Sequence, residues 1–160
     1  MDVFPSGSSS PTIYRDFNFV ATLSLGYDRQ DNLFVDGTDQ NSAFHYAELP
    51  AGAEAFTDIT LNGFTGGDGA GGVQWDGTYM AIGNGFNYIF RTQGPNVVGA
   101  TLLSGTSCVE SFFIVPAKHV VVAPDECNAT VGEYPYPAGG APIKIIASGF
   151  SQPWGAVISR

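Results

Sequence analysis

The chain's two histidines are the first candidates for acid–base chemistry. His45 and His119 are far apart in sequence, and each lies in or beside an apolar run. A serine nucleophile would need one of them next to an acidic residue and an exposed serine. The chain contains no G-x-S-x-G sequence, which would place a serine on a sharp strand-to-helix turn. We therefore predict structural histidines, no catalytic residue and no enzymatic activity.

Four aspartates follow one another closely and offer oxygen ligands of the kind that calcium prefers. They are Asp28, Asp31, Asp36 and Asp39. Their spacing does not fit the D-x-[DN]-x-[DN]-G loop of a calcium-binding helix pair. Aspartate is also favoured in turns, because its side chain bonds nearby backbone amides. We interpret these residues as turn residues and predict no metal site.

A glycine-rich stretch, Gly67–Gly72, satisfies G-x-G-x-x-G literally. A dinucleotide site needs a strand before those glycines and a helix after them, so that the helix N-terminus faces the pyrophosphate. Here a β-type run follows instead. The stretch is predicted to be a loop, and no cofactor is expected.

Aromatic side chains offer a possible carbohydrate-stacking platform. The candidates for such a surface are Trp75, Trp154, Tyr134 and Tyr136, with Phe86 and Tyr88 as further aromatic residues. Large aromatic side chains also fill the space between packed sheets. We favour core packing, and a glycan remains the alternative partner.

The two cysteines suggest a disulfide. Cys108 and Cys127 flank two apolar runs joined by Pro116–His119. If the chain folds back between residues 117 and 118, the cysteines are equidistant from the turn, and opposed hairpin positions lie within bridging distance. The alternative is a pair of buried free thiols. With no C-x-x-C or adjacent histidine pair, zinc binding by the cysteines is not expected.

Several features point to an extracellular or secreted protein. Lysine is rare, and Asn128-Ala129-Thr130 is an acceptor sequence for N-glycosylation. A disulfide would persist in that environment. The first residues, Met1–Pro5, lack the basic and apolar regions of a secretory signal. A cytosolic protein, or a chain given without its leader, would begin in the same way.

The charge excludes several partners. Six basic residues against fifteen acidic ones give a net charge of -9 and a pI near 4.3. The basic residues are scattered, whereas nucleic acid and anionic membranes both require clustered ones. The sequence has no run of 18 apolar residues. We therefore predict neither nucleic-acid nor membrane binding.

The composition indicates an all-β domain. The chain has 160 residues, 44% hydrophobic and only 13% charged, with 21 glycines and 10 prolines. That length supports one domain with a substantial core. The high glycine and proline content predicts many turns, and no window shows a convincing apolar repeat at helical spacing.

The clearest strand pattern lies between Gly71 and Phe90. Three short runs rich in aromatic or β-branched residues are separated by Asp76-Gly77 and by Gly83–Gly85. This pattern predicts an antiparallel meander. The Asp-Gly link suits a two-residue type I′ turn.

Similar units recur along the chain. One begins at Gly26 and another at Ser111, and Pro-Ala-Gly closures start at Pro50 and Pro137, 87 positions (137 − 50) apart. That distance is about two units of a repeat of ~40–50 residues, the length of a propeller blade. The run 153–159 reads as one more strand. We predict a propeller-like array of about three four-stranded blades plus the first strand of a fourth; a β-sandwich is the alternative.

Three segments resemble the repeats of secreted bacterial β-propellers related to NHL-type repeats: Gly72–Gly77, the Pro-Ala-Gly closures and Gln152–Val157. The resemblance covers most of residues 26–160 at the level of repeats. It implies a ring-shaped protein used for binding, adhesion or scaffolding. A minority of such proteins are hydrolases or lactonases.

The predicted organisation is a flexible arm or linker over residues 1–11 and a propeller-like domain over residues 12–160. Three units are too few to close a ring, so sheet edges and apolar surface would stay exposed. We predict a structural or binding module that self-associates through strand edges, into a closed ring or a filament. The alternatives are a propeller enzyme acting on an ester, lactone or glycan, and a carbohydrate-binding module.

Overall fold

A computed structural model describes residues 1–3, 9–66 and 71–158 of the chain. Within these ranges the protein is all-β, and a single 3-10 turn over Pro116–Lys118 is the only helical element. The described strands, in chain order, are β1 Asp2–Val3, β2 Thr12–Ile13, β3 Ala21–Tyr27, β4 Leu33–Thr38, β5 Phe44–Leu49, β6 Thr57–Asp58, β7 Val73–Trp75, β8 Met80–Gly83, β9 Tyr88–Gln93, β10 Asn96–Leu102, β11 Phe113–Val115, β12 Val120–Asp125, β13 Thr130–Pro135 and β14 Lys144–Ile146.

Strands β3–β14 form three successive antiparallel meanders of four strands each, and β1 and β2 form a separate two-stranded sheet. The first sheet is β3–β4–β5–β6, the second is β7–β8–β9–β10, and the third is β11–β12–β13–β14. Every neighbour within a sheet is also a neighbour in sequence, so each sheet is built from local hairpins. This result confirms the all-β class and the four-stranded units predicted from the sequence.

Aspartate and asparagine side chains organise several hairpin turns. Asp39 Oδ1 accepts hydrogen bonds from the amides of Asn41 and Ala43, and Asn84 Oδ1 accepts three from residues 86–88. Such bonds satisfy turn amides that have no strand partner. They explain why strand runs in this sequence are so often followed by Asp or Asn.

Two apolar interfaces join the three sheets. The first interface lies between the first and second sheets and contains Phe34, Tyr46, Val73, Met80 and Ile82. The second interface lies between the second and third sheets, and it has more buried members. They are Ala81, Ile89, Leu103, Val109, Phe112, Ile114, Val121, Ala123, Tyr134 and Tyr136.

The first strands of the sheets lie side by side. Strand β3 runs next to β7, where a side chain at Gly26 would collide with the carbonyl oxygen of Val73. Between β7 and β11, the Gln74 side chain donates to the Ile114 carbonyl oxygen at 3.0 Å and accepts from the Ile114 amide at 2.8 Å. The side-chain amide of Gln74 thus substitutes for a strand–strand hydrogen-bond pair.

The type I′ turn predicted at Asp76-Gly77 is wrong. Trp75 pairs with Met80, so four residues form the loop, and the Asp76 amide donates to the Tyr79 carbonyl oxygen at 3.0 Å. Asp76 Oδ1 accepts from the amides of Thr78 and Tyr79 at 2.8 and 2.7 Å. These side-chain bonds stabilise a longer loop than the Asp-Gly pair suggested.

The strand predicted over residues 153–159 is not formed within its described part, residues 153–158. This segment lies instead over the outer face of the third sheet, where Ser111 Oγ donates to the Trp154 carbonyl oxygen at 2.6 Å. The β-type composition of the segment favours a strand, but a strand also requires a pairing edge.

The predicted N-terminal arm is attached at its beginning. β1 pairs with β2, and the amide of Tyr14 donates to the Met1 carbonyl oxygen at 2.9 Å. Residues 4–8 of the predicted arm lie outside the described residues. Met1, Tyr14 and Phe19 cover part of the outer face of the first sheet, against Leu33, Val35 and Leu49.

Candidate functional site

The outer face of the first sheet carries exposed apolar side chains. On β3, Leu23, Leu25 and Tyr27 are 57%, 55% and 48% exposed, and they alternate with residues that face the second sheet. Phe17 and Val20, in the segment before β3, extend this patch. We call these five residues the leading face.

The opposite end of the array has a second such surface. It is formed by the last strand of the third sheet and the segments around it. Ile145 is exposed as well, but it alternates with Ile146 on β14 and points to the opposite side of the sheet. The other exposed apolar residues at this end are Ile143, Ile146, Phe150, Trp154 and Val157. We call them the trailing face; a groove of ≈ 390 Å³ lies beside it, between the third sheet and residues 155–158.

A cluster of titratable side chains lies on the outer face of the first sheet. His45 Nε2, on β5, is 3.1 Å from Asp58 Oδ1, on β6, and 3.7 Å from Asp16 Oδ2, in the segment before β3. The ligand-type atoms of all three residues lie within 4.8 Å of one another. The Phe19 ring contacts His45 edge-on at 4.4 Å between ring centroids.

The carboxylates of this cluster are held in different ways. Asn18 Nδ2 donates to Asp58 Oδ2 at 2.6 Å, which leaves Oδ1 facing His45. The Asp16 side chain is only 8% exposed, and its Oδ1 accepts from the Asn18 amide at 2.9 Å. Its buried Oδ2 has no hydrogen-bond partner among the described residues. A carboxylate oxygen in that situation favours a cation beside it.

The sequence did not reveal this cluster. His45, which the sequence pattern favours as a structural histidine, lies next to Asp16 and Asp58 in the structure. The available signal was the two-residue period of β5 and β6: Asp58 pairs with Ala47, which is on the same face as His45. This signal can be used only if the register between β5 and β6 is known. Asp16 lies in a segment that is not a strand, so strand periodicity cannot place it.

A second buried carboxylate lies in the first interface. Asp36, on β4, is 0% exposed, and neither carboxylate oxygen has a hydrogen-bond partner in the described ranges. Burial raises the pKa of Asp36 to about 7, and polar groups of Ser24 and Gly72 only partly offset this effect. Tyr46, which pairs with Asp36, has a buried hydroxyl without a hydrogen-bond partner of good geometry; burial raises the pKa of Tyr46, and the nearby Thr92 side chain only partly offsets this effect.

The four aspartates considered for calcium separate in the structure. Asp28 Oδ1 accepts from the amides of Gln30 and Asn32, and Asp39 caps the next turn. The amides of Ala43 and Asn41 hold the pKa of Asp39 below its usual value. Asp31 lies in the same turn as Asp28, with a positive φ of 64°. Asp36 alone is a core residue, so the turn interpretation holds for three of the four.

The proposed aromatic platform is not assembled. Tyr134 and Tyr136 are 3% and 5% exposed within the second interface, and Tyr136 Oη donates to Asp76 Oδ2 at 2.8 Å. Trp75 packs against the first interface, and only Trp154 is largely exposed, at 63%. The core-packing interpretation therefore applies to three of these four residues, but not to Phe86 and Tyr88, which are 49% and 37% exposed.

Cys108 and Cys127 form a disulfide, with their Cα atoms 5.4 Å apart. The β11–β12 register pairs Val115 with Val120, which centres the hairpin on residues 117 and 118 as predicted. Asn128 is exposed, and its Nδ2 donates to Asp125 Oδ2 at 2.6 Å. Glycosylation of Asn128 stays a prediction.

His119 follows the 3-10 turn in a left-handed conformation, far in sequence from the His45 cluster. Most of Gly67–Gly72 lies outside the described residues, but strand β7 does follow it. In the described part of the chain, no helix has the length and apolar character needed to cross a bilayer.

No protein-family model matches the chain, and no curated protein matches it in sequence. The relationship to NHL-type propellers therefore stays a prediction.

Proposed function

We propose that this chain is an extracellular, propeller-like structural or binding module that completes its ring by associating with a second copy of itself. The observation that carries the proposal is the contrast between the buried interfaces inside the array and the partly exposed apolar surfaces at its two ends. The two internal interfaces are apolar and buried, whereas the leading and trailing faces are apolar and exposed.

The arrangement of first strands supports a propeller-like array over a sandwich. In a propeller, each blade is a four-stranded meander, and corresponding strands of neighbouring blades surround a common axis. Here β3 neighbours β7, and β7 is bridged to β11 through Gln74. Each sheet also packs face to face with the next one along the chain, which is the sequential order expected of blades.

The number of sheets favours a dimer. Propellers typically have four to eight blades, and two copies with three sheets each supply six. The leading face of one copy would pack on the trailing face of the other, and the reverse contact would close the ring. The same head-to-tail contact produces a filament if the rotation that relates the two copies does not return the chain of contacts to a closed ring.

The disulfide supports the extracellular part of the proposal. Such bonds form and persist in oxidising compartments and are rare in reducing ones. Cys108 and Cys127 are joined at the end of a hairpin on the third sheet. Secretion followed by mass analysis of the purified protein would test this assignment together with the sugar predicted on Asn128.

Light scattering on the purified chain tests the association. One copy has a mass of 16.8 kDa, so a closed pair should give twice that mass, 33.6 kDa, before any sugar is added. Leu25→Asp on the leading face and Ile146→Asp on the trailing face should each give monomers, because a buried unpaired charge is costly. Val98→Asp is the matched control, since Val98 is 44% exposed on the second sheet, outside both faces.

Mixing the two interface variants distinguishes the geometry of the contact. A head-to-tail contact leaves one intact leading face and one intact trailing face in the mixture, so Leu25→Asp and Ile146→Asp chains should form a one-contact heterodimer. Association through a single self-complementary patch would give no such rescue. A wild-type monomer at micromolar concentration would overturn the proposal.

A further inference from the structure

We propose that Asp16, His45 and Asp58 bind one divalent transition-metal ion of the zinc type. The three side chains come from the segment before β3, from β5 and from β6. One imidazole and two carboxylates are a ligand set that zinc accepts, with the fourth position left for water or a bound molecule.

The two distances from the imidazole are close to those of this coordination, and the two carboxylate donor atoms lie within 4.8 Å of each other. Zinc bonds to nitrogen and oxygen are about 2.0–2.2 Å long, so neighbouring ligands of a tetrahedral ion lie ~3.3–3.6 Å apart. His45 Nε2 is 3.1 Å from Asp58 Oδ1 and 3.7 Å from Asp16 Oδ2. Side-chain movements of a few tenths of an ångström would bring both distances from His45 Nε2 into that range.

The buried Asp16 carboxylate is the independent indication of a ligand. Its side chain is more than nine-tenths buried, and its Oδ2 is directed towards His45 without a hydrogen-bond partner in the described structure. A metal ion between Asp16 and His45 would provide the missing partner for Oδ2. The turn formed with Asn18 involves only the other carboxylate oxygen, Oδ1, which accepts a hydrogen bond from the Asn18 amide. The turn therefore does not account for the buried position of Oδ2.

Neighbouring groups orient the ligands. The bond from Asn18 to Asp58 Oδ2 fixes the carboxylate that points at His45, and the Phe19 ring restricts the imidazole. Second-shell contacts of this kind typically contribute 10- to 100-fold to metal affinity. The imidazole also favours a transition metal over calcium or magnesium, which take oxygen ligands.

Metal binding would fasten the segment before β3 to the outer face of the first sheet. Asp16 belongs to that segment, whereas His45 and Asp58 belong to the sheet. Phe17 and Val20 of the leading face lie on the same segment, so the ion would also order part of that face.

Titration calorimetry with Zn²⁺, and Co²⁺ absorption as a spectroscopic probe, test the site in the full chain. We expect one ion per chain and a Co²⁺ spectrum of a four-coordinate site. His45→Ala and Asp16→Asn should each weaken Zn²⁺ binding at least tenfold, and Asn18→Ala should weaken it by about tenfold. His119→Ala removes the chain's other histidine and should leave binding unchanged.

Two further measurements keep the result interpretable. Thermal unfolding without metal shows whether each variant is folded, and Asp58→Asn provides a more exposed ligand substitution, since Asp58 is 47% exposed. Hydrogen exchange should show that Zn²⁺ slows exchange at residues 14–20 in the wild type but not in His45→Ala. Zinc affinity that is equal in folded wild type and His45→Ala would overturn the proposal.

Discussion

The two interfaces between the sheets have similar strand layouts but treat their polar groups differently. In the second interface, Tyr136 Oη is bonded to Asp76, and Gln74 bridges to Ile114. In the first interface, Asp36 and the Tyr46 hydroxyl are buried without hydrogen-bond partners among the described residues. A tight apolar contact therefore does not by itself satisfy the polar groups it encloses.

This difference makes the first interface sensitive to pH. Unpaired buried polar groups cost free energy, and a buried carboxylate avoids part of that cost by remaining protonated. Among the described residues of the second interface, one atom is comparable, Arg91 Nε. The guanidinium carbon of Arg91 lies 5.4 Å from the centre of the Tyr79 ring, which gives the charge a favourable contact. We expect the second interface to be the more stable of the two at neutral pH.

Gln74→Ala should lower the free energy of unfolding by about 4 kcal/mol. The substitution removes two hydrogen bonds and leaves the buried amide and carbonyl of Ile114 unpaired, at about 1–3 kcal/mol each. Urea unfolding measures the change. Gln152→Ala is the control, because Gln152 makes an exposed bond to Glu126 and should change stability by less than about 0.5 kcal/mol. Equal effects of the two variants would contradict the bridging role of Gln74.

Replacing both cysteines with alanine should destabilise the protein by about 3 kcal/mol, because the cross-link closes a loop between residues 19 positions apart. Cys108 lies in the segment that supplies Leu103, Val109 and Phe112 to the second interface. Hydrogen exchange should therefore accelerate in the third sheet more than in the first sheet. Uniform acceleration across all three sheets would show that the disulfide acts only through the unfolded chain.

Asp36→Asn should stabilise the protein at pH 8 by up to about 4 kcal/mol, because each unit of pKa shift corresponds to about 1.4 kcal/mol. The pKa of Asp36 is raised from 3.8 to about 7, so between these values the folded chain holds a proton that the unfolded chain has lost. Stability therefore falls as pH rises from about 4 to 7, and the cost is complete above 7.

Urea unfolding at pH 4, 6 and 8 separates this effect from general ones. The Asp36→Asn protein should have a flatter pH dependence than the wild type, with the largest gain at pH 8. Asp31→Asn, in an exposed turn, is the matched control and should leave the profile unchanged. A parallel shift at all three pH values would indicate that Asp36 is ionised in the folded protein.

A matched pair of tyrosine substitutions should give the smallest effect and compare the interfaces directly. Tyr136→Phe removes a hydrogen bond to a carboxylate and should cost about 1–2 kcal/mol. Tyr46→Phe removes an unpartnered hydroxyl and should be neutral or slightly stabilising. The two unfolding free energies, measured in urea at pH 7, should change in opposite directions or differ by at least 1 kcal/mol. A similar loss in both variants would mean that Tyr46 has a hydrogen-bond partner in solution.

Local signals allowed much of the secondary structure to be predicted. Alternating apolar runs located β7, β8 and β9, and β12 and β13 fall on predicted runs as well. The equal spacing of Cys108 and Cys127 from the turn gave the β11–β12 register. The prediction failed where composition was considered without a pairing partner, as in residues 153–158, and where a side chain altered a turn, as Asp76 does.

The sequence by itself determined the all-β class, the order of the hairpins and the cysteine pairing. These features follow from the two-residue strand period and from turn chemistry, which act between residues close in sequence. Only the tertiary structure decided that Asp36 is buried, that three aromatic candidates belong to the core, and that Asp16 meets His45 and Asp58. Each of these outcomes depends on which sheet face meets which neighbour, and packing between distant segments sets that choice.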